Sequence, residues 1–204
     1  MVISFENHFK ELFNFSNNHR GSYTQGISDA GDFYNSWSGY NDELILAAIW
    51  VARASGDAAD IAKAEELYQT LGGSAQQNEY SWDNKFMALP ILMYELTNDD
   101  QYKVTAKNNM IALRNNANYT PGNHFHIILM RTKLKFVDGT FNKHFSDGMI
   151  HLQQWGSARH AANVAFLATI YVKRSIEKAA NRAFAQAQVN YIKGKFIANN
   201  NLFV

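Results

Sequence analysis

The chain has 204 residues, enough for one ordinary domain, and its 47% hydrophobic content is sufficient to bury a core. Nineteen Lys and Arg against eighteen Asp and Glu leave a formal charge of +1, which disfavours nucleic acid and anionic membranes as partners. The absence of cysteine excludes disulfides, thiolate metal sites and cysteine nucleophiles. Glu6, Lys10 and Glu11 interrupt the segment where a secretory signal needs an apolar run, so no signal peptide is expected within the chain. No apolar run approaches the length of a membrane span.

Apolar residues recur at helical spacing along most of the chain, beginning with an amphipathic pattern over residues 5–15. One kind of segment is apolar nearly all round, which is typical of fully buried helices. It comprises residues 44–51, 86–94 and 161–172. A second kind has an apolar stripe on one face and predicts surface helices. It comprises residues 61–71, 102–113 and 176–191. The alternation of the two kinds predicts an α/α toroid, in which every second helix lies in an inner ring.

Turn-forming residues separate the predicted helices into pairs. Glycines end helices at 55–57 and 72–73, and an Asn-Asp run at 97–100 separates the next pair. The hairpins repeat about every forty residues, which is also near the HEAT period, so a helical-repeat interaction scaffold stays an alternative. Pro90 lies inside a predicted buried helix, where it should remove a hydrogen bond and kink the helix. Residues 123–147 fit no helical period and could form a strand pair or a long loop.

The segment 33–44, FYNSWSGYNDEL, places aromatic residues and two carboxylates directly before a predicted buried helix. This run resembles glycoside hydrolase family 9, the cellulase family. Members carry an aromatic pair, Asn-Ser-Trp-Ser-Gly-Tyr, any residue, Asp-Glu-Leu and then an Ala- and Trp-rich helix. The resemblance extends into the predicted helix through Ala47, Ala48, Trp50 and Arg53.

Three further motifs follow in the order of that family. Residues 81–85, SWDNK, are similar to Ser-Trp-Asp-Asp-Lys; 119–122, YTPG, to Tyr-Thr-Pro-Gly-Gly; and 155–163, WGSARHAAN, to Trp-Gly-Ser-Leu-Arg-His/Tyr-Ala-Ala-Asn. Four collinear motifs identify the chain as a central part of a family 9 catalytic domain. The resemblance implies an all-α fold, an incomplete (α/α)6 barrel of about half the ring. It also implies one partial domain over 1–204, with an atypical insertion at about 123–147 that is either a functional loop or a translated intron.

The resemblance implies a calcium site beside the cleft. The matching positions are Ser38 and Gly39, through their backbone, and the carboxylates of Asp42, Glu43 and Asp83. The donor set suits a hard cation that takes about six to eight oxygen ligands. A simpler interpretation of the first two carboxylates is an acidic helix N-terminus that interacts favourably with the helix dipole.

The resemblance also implies a cleft that binds a β-1,4-glucan chain on aromatic platforms. The residues at cleft-lining positions are Phe33, Tyr34, Trp37, Trp155 and His160. The alternative for such rings is packing in the core.

Other conspicuous side chains are interpreted as structural. Trp50 and Trp82 are predicted to lie in the core, and Arg159 is predicted to be a buried or partly buried ion-pair partner. Four histidines outside the motifs share no metal-like helical spacing and are predicted to lie in loops. They are His124, His126, His144 and His151.

Catalytic residues are the part of the family pattern that the chain does not match. Inverting glycosidases use two carboxyl groups, one as acid and one as base. In the family, the base comes from an N-terminal Asp-Ala-Gly-Asp motif and the acid from a Glu near the C-terminus. Residues 29–32 spell Asp-Ala-Gly-Asp, but they run directly into the aromatic motif at 33–40, so we interpret the match as coincidental. No catalytic residue is therefore assigned, and the chain alone is expected to be inactive.

The leading functional hypothesis is an endo-β-1,4-glucanase that acts by inversion in its complete domain, secreted according to the resemblance. The first alternative is a noncatalytic glucan-binding helical module. The helical-repeat scaffold ranks last because it leaves the aromatic motif unexplained. The isolated chain is expected to self-associate through exposed apolar edges.

Overall fold

A computed structural model of the chain describes residues 2–77, 79–116, 118–119, 149–152 and 156–198. Its α-helices are α1 Val2–Asn18, α2 Asn41–Ser55, α3 Ala58–Thr70, α4 Leu89–Thr97, α5 Asp100–Asn116, α6 Ser157–Lys173 and α7 Lys178–Ala198. Three short 3-10 helices span Tyr23–Gln25, Ser28–Asp32 and Phe86–Ala88. Two short strands, β1 Asn118–Tyr119 and β2 Ile150–His151, pair antiparallel with Asn118 opposite His151.

The chain divides into two compact units, residues 1–106 and 107–204, and the division falls within α5. The predicted insertion at 123–147 lies outside the described residues, as do residues 120–122 of the predicted Tyr-Thr-Pro-Gly loop. Among the described residues, no helix has both the length and the apolar composition needed to cross a membrane.

The first unit is built around α2, which packs between its neighbours along the chain. Ile45 and Ile49 of α2 are fully buried together with Leu67 of α3 and Leu89 and Met93 of α4. The outer side of α2 differs from the prediction of a helix buried all round, because Trp50 is exposed. The prediction that residues 44–51 are buried all round is therefore wrong at Trp50. A tryptophan counts as apolar in the sequence pattern whether or not another residue covers its ring.

The α2–α3 hairpin is closed by glycine, as the turn signals predict. Gly56 has φ +68°, a left-handed conformation that a side chain would strain, and its N–H donates to the carbonyl of Ala52 at 2.9 Å. After α3, Gly72 has φ +81°. Gly73 follows and donates its N–H to the Tyr68 carbonyl at 2.8 Å, and any Cβ at this position would meet the Tyr68 ring.

Pro90 does not kink a helix, so the prediction of a kink is wrong. The segment 86–94 begins as the 3-10 turn Phe86–Ala88, and α4 starts at Leu89, which puts Pro90 in its first turn. The N–H groups of the first turn of a helix have no acceptor within that helix, so a proline there removes no helical hydrogen bond. The left-handed Asn98 (φ 57°) ends α4, in agreement with the predicted separator.

The second unit contains the α6–α7 hairpin and the strand pair. Val164, Leu167 and Tyr171 of α6 pack in its core with Phe184 of α7. Phe166 is 58% exposed, so the prediction that 161–172 is buried all round is also wrong on one face of α6.

A buried polar network ties the end of α5 to the start of α7 within this unit. Arg114 is buried and donates to the side-chain carbonyl of Asn181 at 2.9 Å, while the Asn181 amide donates to the Ile176 carbonyl at 2.8 Å. Glu177 lies 2.9 Å from the Lys107 ammonium. These contacts satisfy polar groups that would otherwise be costly to bury.

Candidate functional site

The loop between the 3-10 helix Ser28–Asp32 and α2 is held by one carboxylate. The two carboxylate oxygens of Asp83 accept the backbone N–H of Trp37 at 2.9 Å and of Ser38 at 3.0 Å. The Ser38 hydroxyl donates to the backbone carbonyl of Asp83. Gly39 completes the turn at φ +84°. The structure thus brings together three of the predicted calcium-site residues. Ser38 contacts Asp83 directly, and Gly39 is the next residue in the chain.

The segment 81–85 that carries Asp83 is itself a tight, self-bonded turn. The Ser81 hydroxyl accepts the N–H groups of Asp83 and Asn84, each at 3.2 Å. The Asn84 side chain accepts the N–H of Phe86 at 3.1 Å and donates to Gln77 at 3.2 Å. Asn84, where the family motif has Asp, therefore serves as a neutral bridge that both accepts and donates.

Lys85 joins this turn to the first two carboxylates of α2. Its backbone N–H donates to Asp42 at 2.7 Å, and its ammonium lies 2.6 Å from Glu43 Oε1. The ammonium also donates to the Trp82 carbonyl. No role is predicted for Lys85 from the sequence. Its charge, opposite to that of Asp42 and Glu43, and its place in the same motif as Asp83 are the signals that could have indicated one.

Asp42 and Glu43 form a carboxyl pair in which Asp42 is buried and Glu43 is partly exposed. Asp42 is fully buried, and neither its Oδ1 nor Glu43 Oε2 accepts a hydrogen bond. Burial, followed by the neighbouring Glu43, raises the pKa of Asp42 to about 7. Burial also acts to raise the pKa of Glu43, but hydrogen bonding with Asp42 and Lys85 outweighs it, so that pKa is lowered. The ionisation of each carboxyl group therefore depends on the other, and a proton or a cation would stabilise the two oxygens that accept no hydrogen bond.

Burial also raises the pKa of Asp83, against the lowering effect of the N–H donors of Ser38 and Trp37. The donors therefore fit calcium in chemical kind, since all are oxygens and two of them are buried without a partner. Among the described residues, no group of three or more His, Cys, Asp or Glu side chains is arranged to hold a metal ion.

Three of the predicted platform residues lie exposed on the same loop. Phe33 is 82% exposed, Tyr34 63% and Trp37 76%. The loop backbone is fixed nonetheless, because Tyr34 N–H donates to the Ala30 carbonyl at 2.8 Å and the Tyr23 hydroxyl donates to the Tyr34 carbonyl. Such exposure of large rings on an ordered loop is typical of a ligand-binding surface rather than of core packing.

Trp82 belongs to this surface, and its assignment to the core is wrong. It is 38% exposed, and its ring meets the Tyr34 ring edge to face, with the ring centroids 5.6 Å apart. Trp50, also predicted to be in the core, is 53% exposed on α2, where the Arg53 guanidinium lies 4.8 Å from its ring centroid. Arg53 in turn pairs with Glu95 at 2.7 Å. Sequence pattern marks both rings as apolar but does not reveal which side of each remains open.

The predicted platform residues of the second unit are not supported in the same way. His160 is buried, with 2% exposure, and its Nε2 lies 3.2 Å from Arg159 Nη2. A buried ring cannot stack on a sugar in this conformation. Arg159 itself is exposed, so its prediction as a buried ion-pair partner is wrong. Trp155 lies outside the described residues, as do His124, His126 and His144.

The Asp-Ala-Gly-Asp sequence forms the 3-10 helix Ser28–Asp32 with one residue before it. Asp29 and Asp32 are both exposed at the start of the aromatic loop. They therefore lie directly before the predicted platform residues Phe33 and Tyr34 in the chain.

These features define an all-α protein of helical hairpins, with an exposed aromatic loop that runs into a carboxyl pair at the start of α2. The family model described as glycosyl hydrolase family 9 matches residues 4–201, and the chain belongs to this family. Among curated relatives, it is 32% identical to endoglucanase A of Bacillus pumilus, over 97% of this chain and 28% of that protein. It is 33% identical to an endoglucanase of Dictyostelium discoideum, over 92% of this chain and 23% of that protein.

Solved structures confirm the fold class predicted from the sequence. The endoglucanase of the termite Nasutitermes takasagoensis is similar with a TM-score of 0.73 and 33% identity, covering 90% of this chain and 36% of that one. Endoglucanase CelQ of Clostridium thermocellum, complexed with cellotetraose, has a TM-score of 0.66 and 26% identity, covering 91% of this chain and 29% of that one. These proteins have the (α/α)6 barrel fold, of which this chain forms an incomplete part. The chain thus spans less than a third of the two curated relatives and little more than a third of the termite structure.

Proposed function

We propose that this chain carries the glucan-binding wall of an endo-β-1,4-glucanase, which hydrolyses the β-1,4-glucosidic bonds of cellulose with inversion in the complete catalytic domain. The observation that carries the proposal is the set of exposed rings at Phe33, Tyr34 and Trp37 on one ordered loop. Membership of glycosyl hydrolase family 9 and similarity to endoglucanases support it. The cellotetraose bound in the CelQ complex supports a β-1,4-glucan as the substrate. A polysaccharide substrate of this size is consistent with the secretion that the resemblance implies.

The chemistry of the surface suits a glucose polymer. Each β-linked glucose presents flat C–H faces that pack well against aromatic rings, while its hydroxyl groups remain in water. Tyr34 and Trp82 meet edge to face, so each ring limits the rotation of the other. Asp83 fixes the backbone of Trp37, and Lys85 binds the carbonyl of Trp82. Asp83 and Lys85 therefore hold the backbone of Trp37 and Trp82 in place before a ligand arrives, which lowers the entropy cost of binding.

Binding is tested by affinity electrophoresis of the purified chain in gels that contain a soluble β-1,4-glucan. The chain should migrate more slowly than in a glucan-free gel, and Trp37→Ala should reverse most of the delay. A loss of about tenfold in affinity corresponds to ~1.4 kcal/mol. The matched control is Trp50→Ala, which removes another exposed tryptophan roughly two helical turns beyond Glu43 and should leave the delay unchanged. Equal migration of the parent chain with and without glucan would refute the proposal.

Calcium forms a second part of the proposal. The residues that would hold it are Asp42, Glu43 and Asp83 through carboxylate oxygens, with Ser38 and Gly39 through backbone carbonyls. When bound, calcium supplies a hard positive charge next to the two unsatisfied carboxylate oxygens. Asp83 already accepts two N–H groups, but each of its oxygens retains a second lone pair.

The calcium proposal is tested by thermal unfolding with calcium and after chelation. Calcium at about a hundred times its dissociation constant should add about 2.7 kcal/mol to the free energy of unfolding. Asp42→Asn should abolish the difference between the two conditions, while Asp100→Asn, an exposed carboxylate on α5, should retain it. An unchanged melting temperature of the parent chain on chelation would count against a calcium site.

A noncatalytic glucan-binding module is the second candidate. Asp29 and Asp32 belong to the one part of this sequence that matches the motif of the catalytic base. Their position favours the second candidate, because they lead directly into the platform loop. Both candidates predict the same binding, so turnover distinguishes them. The prediction is that the 204 residues alone release no reducing ends from carboxymethylcellulose, and measurable hydrolysis would contradict it.

A further inference from the structure

The exposed side of α1 carries a triplet that no part of the glucanase proposal uses. Asn14, Phe15 and Ser16 form an Asn-x-Ser sequence whose middle residue is not proline, the acceptor pattern for N-linked oligosaccharides. All three residues are exposed, whereas the preceding residue, Phe13, is buried in the core. Since successive helical side chains diverge by about 100°, Asn14 points away from the core while Phe13 anchors the helix to it.

We propose that Asn14 is an N-glycan acceptor when the chain passes through a eukaryotic secretory pathway. The donor is a lipid pyrophosphate-linked oligosaccharide. Asn14 Nδ2 forms a bond to the anomeric carbon of the first sugar, and the bond from that carbon to the pyrophosphate oxygen breaks. The lipid pyrophosphate leaves with the electron pair, and the amide nitrogen gives up one proton. The proposal shares only the expectation of secretion with the proposed function.

The local geometry sets the order of events. In the folded chain, the Ser16 hydroxyl donates to the Leu12 carbonyl at 3.0 Å, so the hydroxyl of the triplet is occupied once α1 has formed. Transfer therefore precedes the folding of α1. The finished helix then tolerates the glycan, because the exposed Asn14 side chain takes part in no core contact.

The surface beside Asn14 suits a covalently attached sugar. Phe15 is exposed, and its ring lies against His19 with the ring centroids 4.8 Å apart. Leu12 is also exposed on this helix. The first sugars of a glycan at Asn14 can cover the Phe15 ring with their C–H faces, which would remove apolar surface from water. The acceptor triplet thus contains an exposed apolar ring directly next to the acceptor Asn14.

The test uses the whole chain secreted from insect cells behind a cleavable leader. Asn118-Tyr119-Thr120 is a second acceptor triplet, so all variants carry Asn118→Gln and leave Asn14 as the acceptor under study. The expected product carries a glycan that peptide N-glycosidase removes, with conversion of Asn14 to Asp in the peptide mass. Asn14→Gln and Ser16→Ala should lose the glycan, and Ser16→Thr should keep it. Secreted parent chain without a glycan, or Asn14→Gln with one, would overturn the proposal.

Whether the glycan covers the Phe15 ring is measured by the binding of an apolar fluorescent dye before and after deglycosylation. Removal of the glycan should increase dye fluorescence in the parent chain and should have a smaller effect in Phe15→Ser, which keeps the acceptor. The unglycosylated chain from bacteria serves as a folding control through its circular dichroism. Equal dye binding with and without the glycan in the parent would refute the cover of Phe15.

Discussion

Lys85 contacts both parts of the candidate site, the carboxyl pair and the exposed aromatic surface. Its ammonium lies 2.6 Å from Glu43 and binds the carbonyl of Trp82, which carries one of the exposed rings. Its backbone N–H is fixed on Asp42. A change at this one side chain should therefore affect both the stability of the carboxyl pair and the position of an aromatic ring.

We predict that Lys85→Met lowers the free energy of unfolding by about 1 kcal/mol, a modest figure because the Glu43 side chain is 43% exposed. The same variant should weaken retardation in glucan gels, because Trp82 loses the contact that fixes its carbonyl. Urea denaturation and affinity electrophoresis measure the two effects. Lys63→Met, which breaks the exposed pair with Glu66 on α3, is the matched control and should change neither by much. Lys85→Met with normal stability and normal retardation would show that the contact has no such role.

At this scale the sequence identifies residue type better than environment. The aromatic loop and the acidic pair are predicted to form a site because their spacing matches a motif. The exposure of Trp50 and Trp82 was missed, because periodicity reports the apolar character of a side chain and not which neighbours cover it. His160 illustrates the opposite case, since a position matched to a cleft is buried in the second unit.

The turn after α3 places Gly73 in close contact with the Tyr68 ring. A Cβ atom at Gly73 would lie 2.4 Å from the Tyr68 ring, a side chain that is fully buried and meets Tyr102 edge to face. We predict that Gly73→Ala costs about 1–3 kcal/mol by forcing this ring to move. Gly31→Ala is the control, because a Cβ there meets nothing within 4 Å, and should be near neutral. Equal melting temperatures of the two variants would show that the Tyr68 ring can shift freely.

A second contact at element scale fixes α1 on the α2–α3 turn. Lys10 lies 2.9 Å from both Asp57 and Asp60. Burial acts to raise the pKa of Asp60, but hydrogen bonds from Ser55 and Lys10 outweigh it, so the folded pKa is lower than usual. A lowered folded pKa favours the ionised carboxylate in the native state. Its contribution to stability is therefore present above the ordinary carboxyl pKa of about 4 and is lost as the pH falls through the folded pKa.

The pH dependence of Asp60 gives a direct measurement. We predict that Asp60→Asn destabilises the chain near neutral pH and has less effect in acid, where the native carboxylate is protonated. Urea denaturation over the acidic range follows the difference between parent and variant. Glu66→Gln, in an exposed pair on α3, is the comparison and should show a smaller change. A difference that stays constant down to strong acid would contradict the linkage.

The elements themselves were largely predictable, because helix periodicity and glycine turns act locally. The left-handed Gly56 and Asn98 end helices where the turn signals placed them. Pro90 was misjudged since the start of α4 depends on the 3-10 turn before it, which apolar periodicity does not reveal. The polar network of Arg114 and Asn181 was not predicted, because it joins residues 67 positions apart.

At the scale of the whole molecule, the exposed apolar side chains predict self-association. Scattered exposed apolar residues are normal in monomers, but here they include large side chains on several helices. Trp50 lies on α2, Phe15 on α1 and Phe166 on α6, each more than half exposed. Burial of such surface gains roughly 25 cal/mol per Å², so contacts between copies should be favourable at moderate concentration.

We therefore expect light scattering of the purified, unglycosylated chain to show oligomers whose average mass rises with concentration. Trp50→Ser and Phe166→Ser, which replace exposed rings with a small polar side chain, should shift the distribution towards the monomer. Val51→Ser, a buried neighbour of Trp50, should instead lower the melting temperature, which separates loss of a surface contact from loss of the fold. Because exposed rings can also serve ligand binding, Trp37, a proposed platform residue, should be replaced in a separate variant. A monodisperse monomer at all concentrations would show that these surfaces are tolerated in water and that their exposure needs no partner.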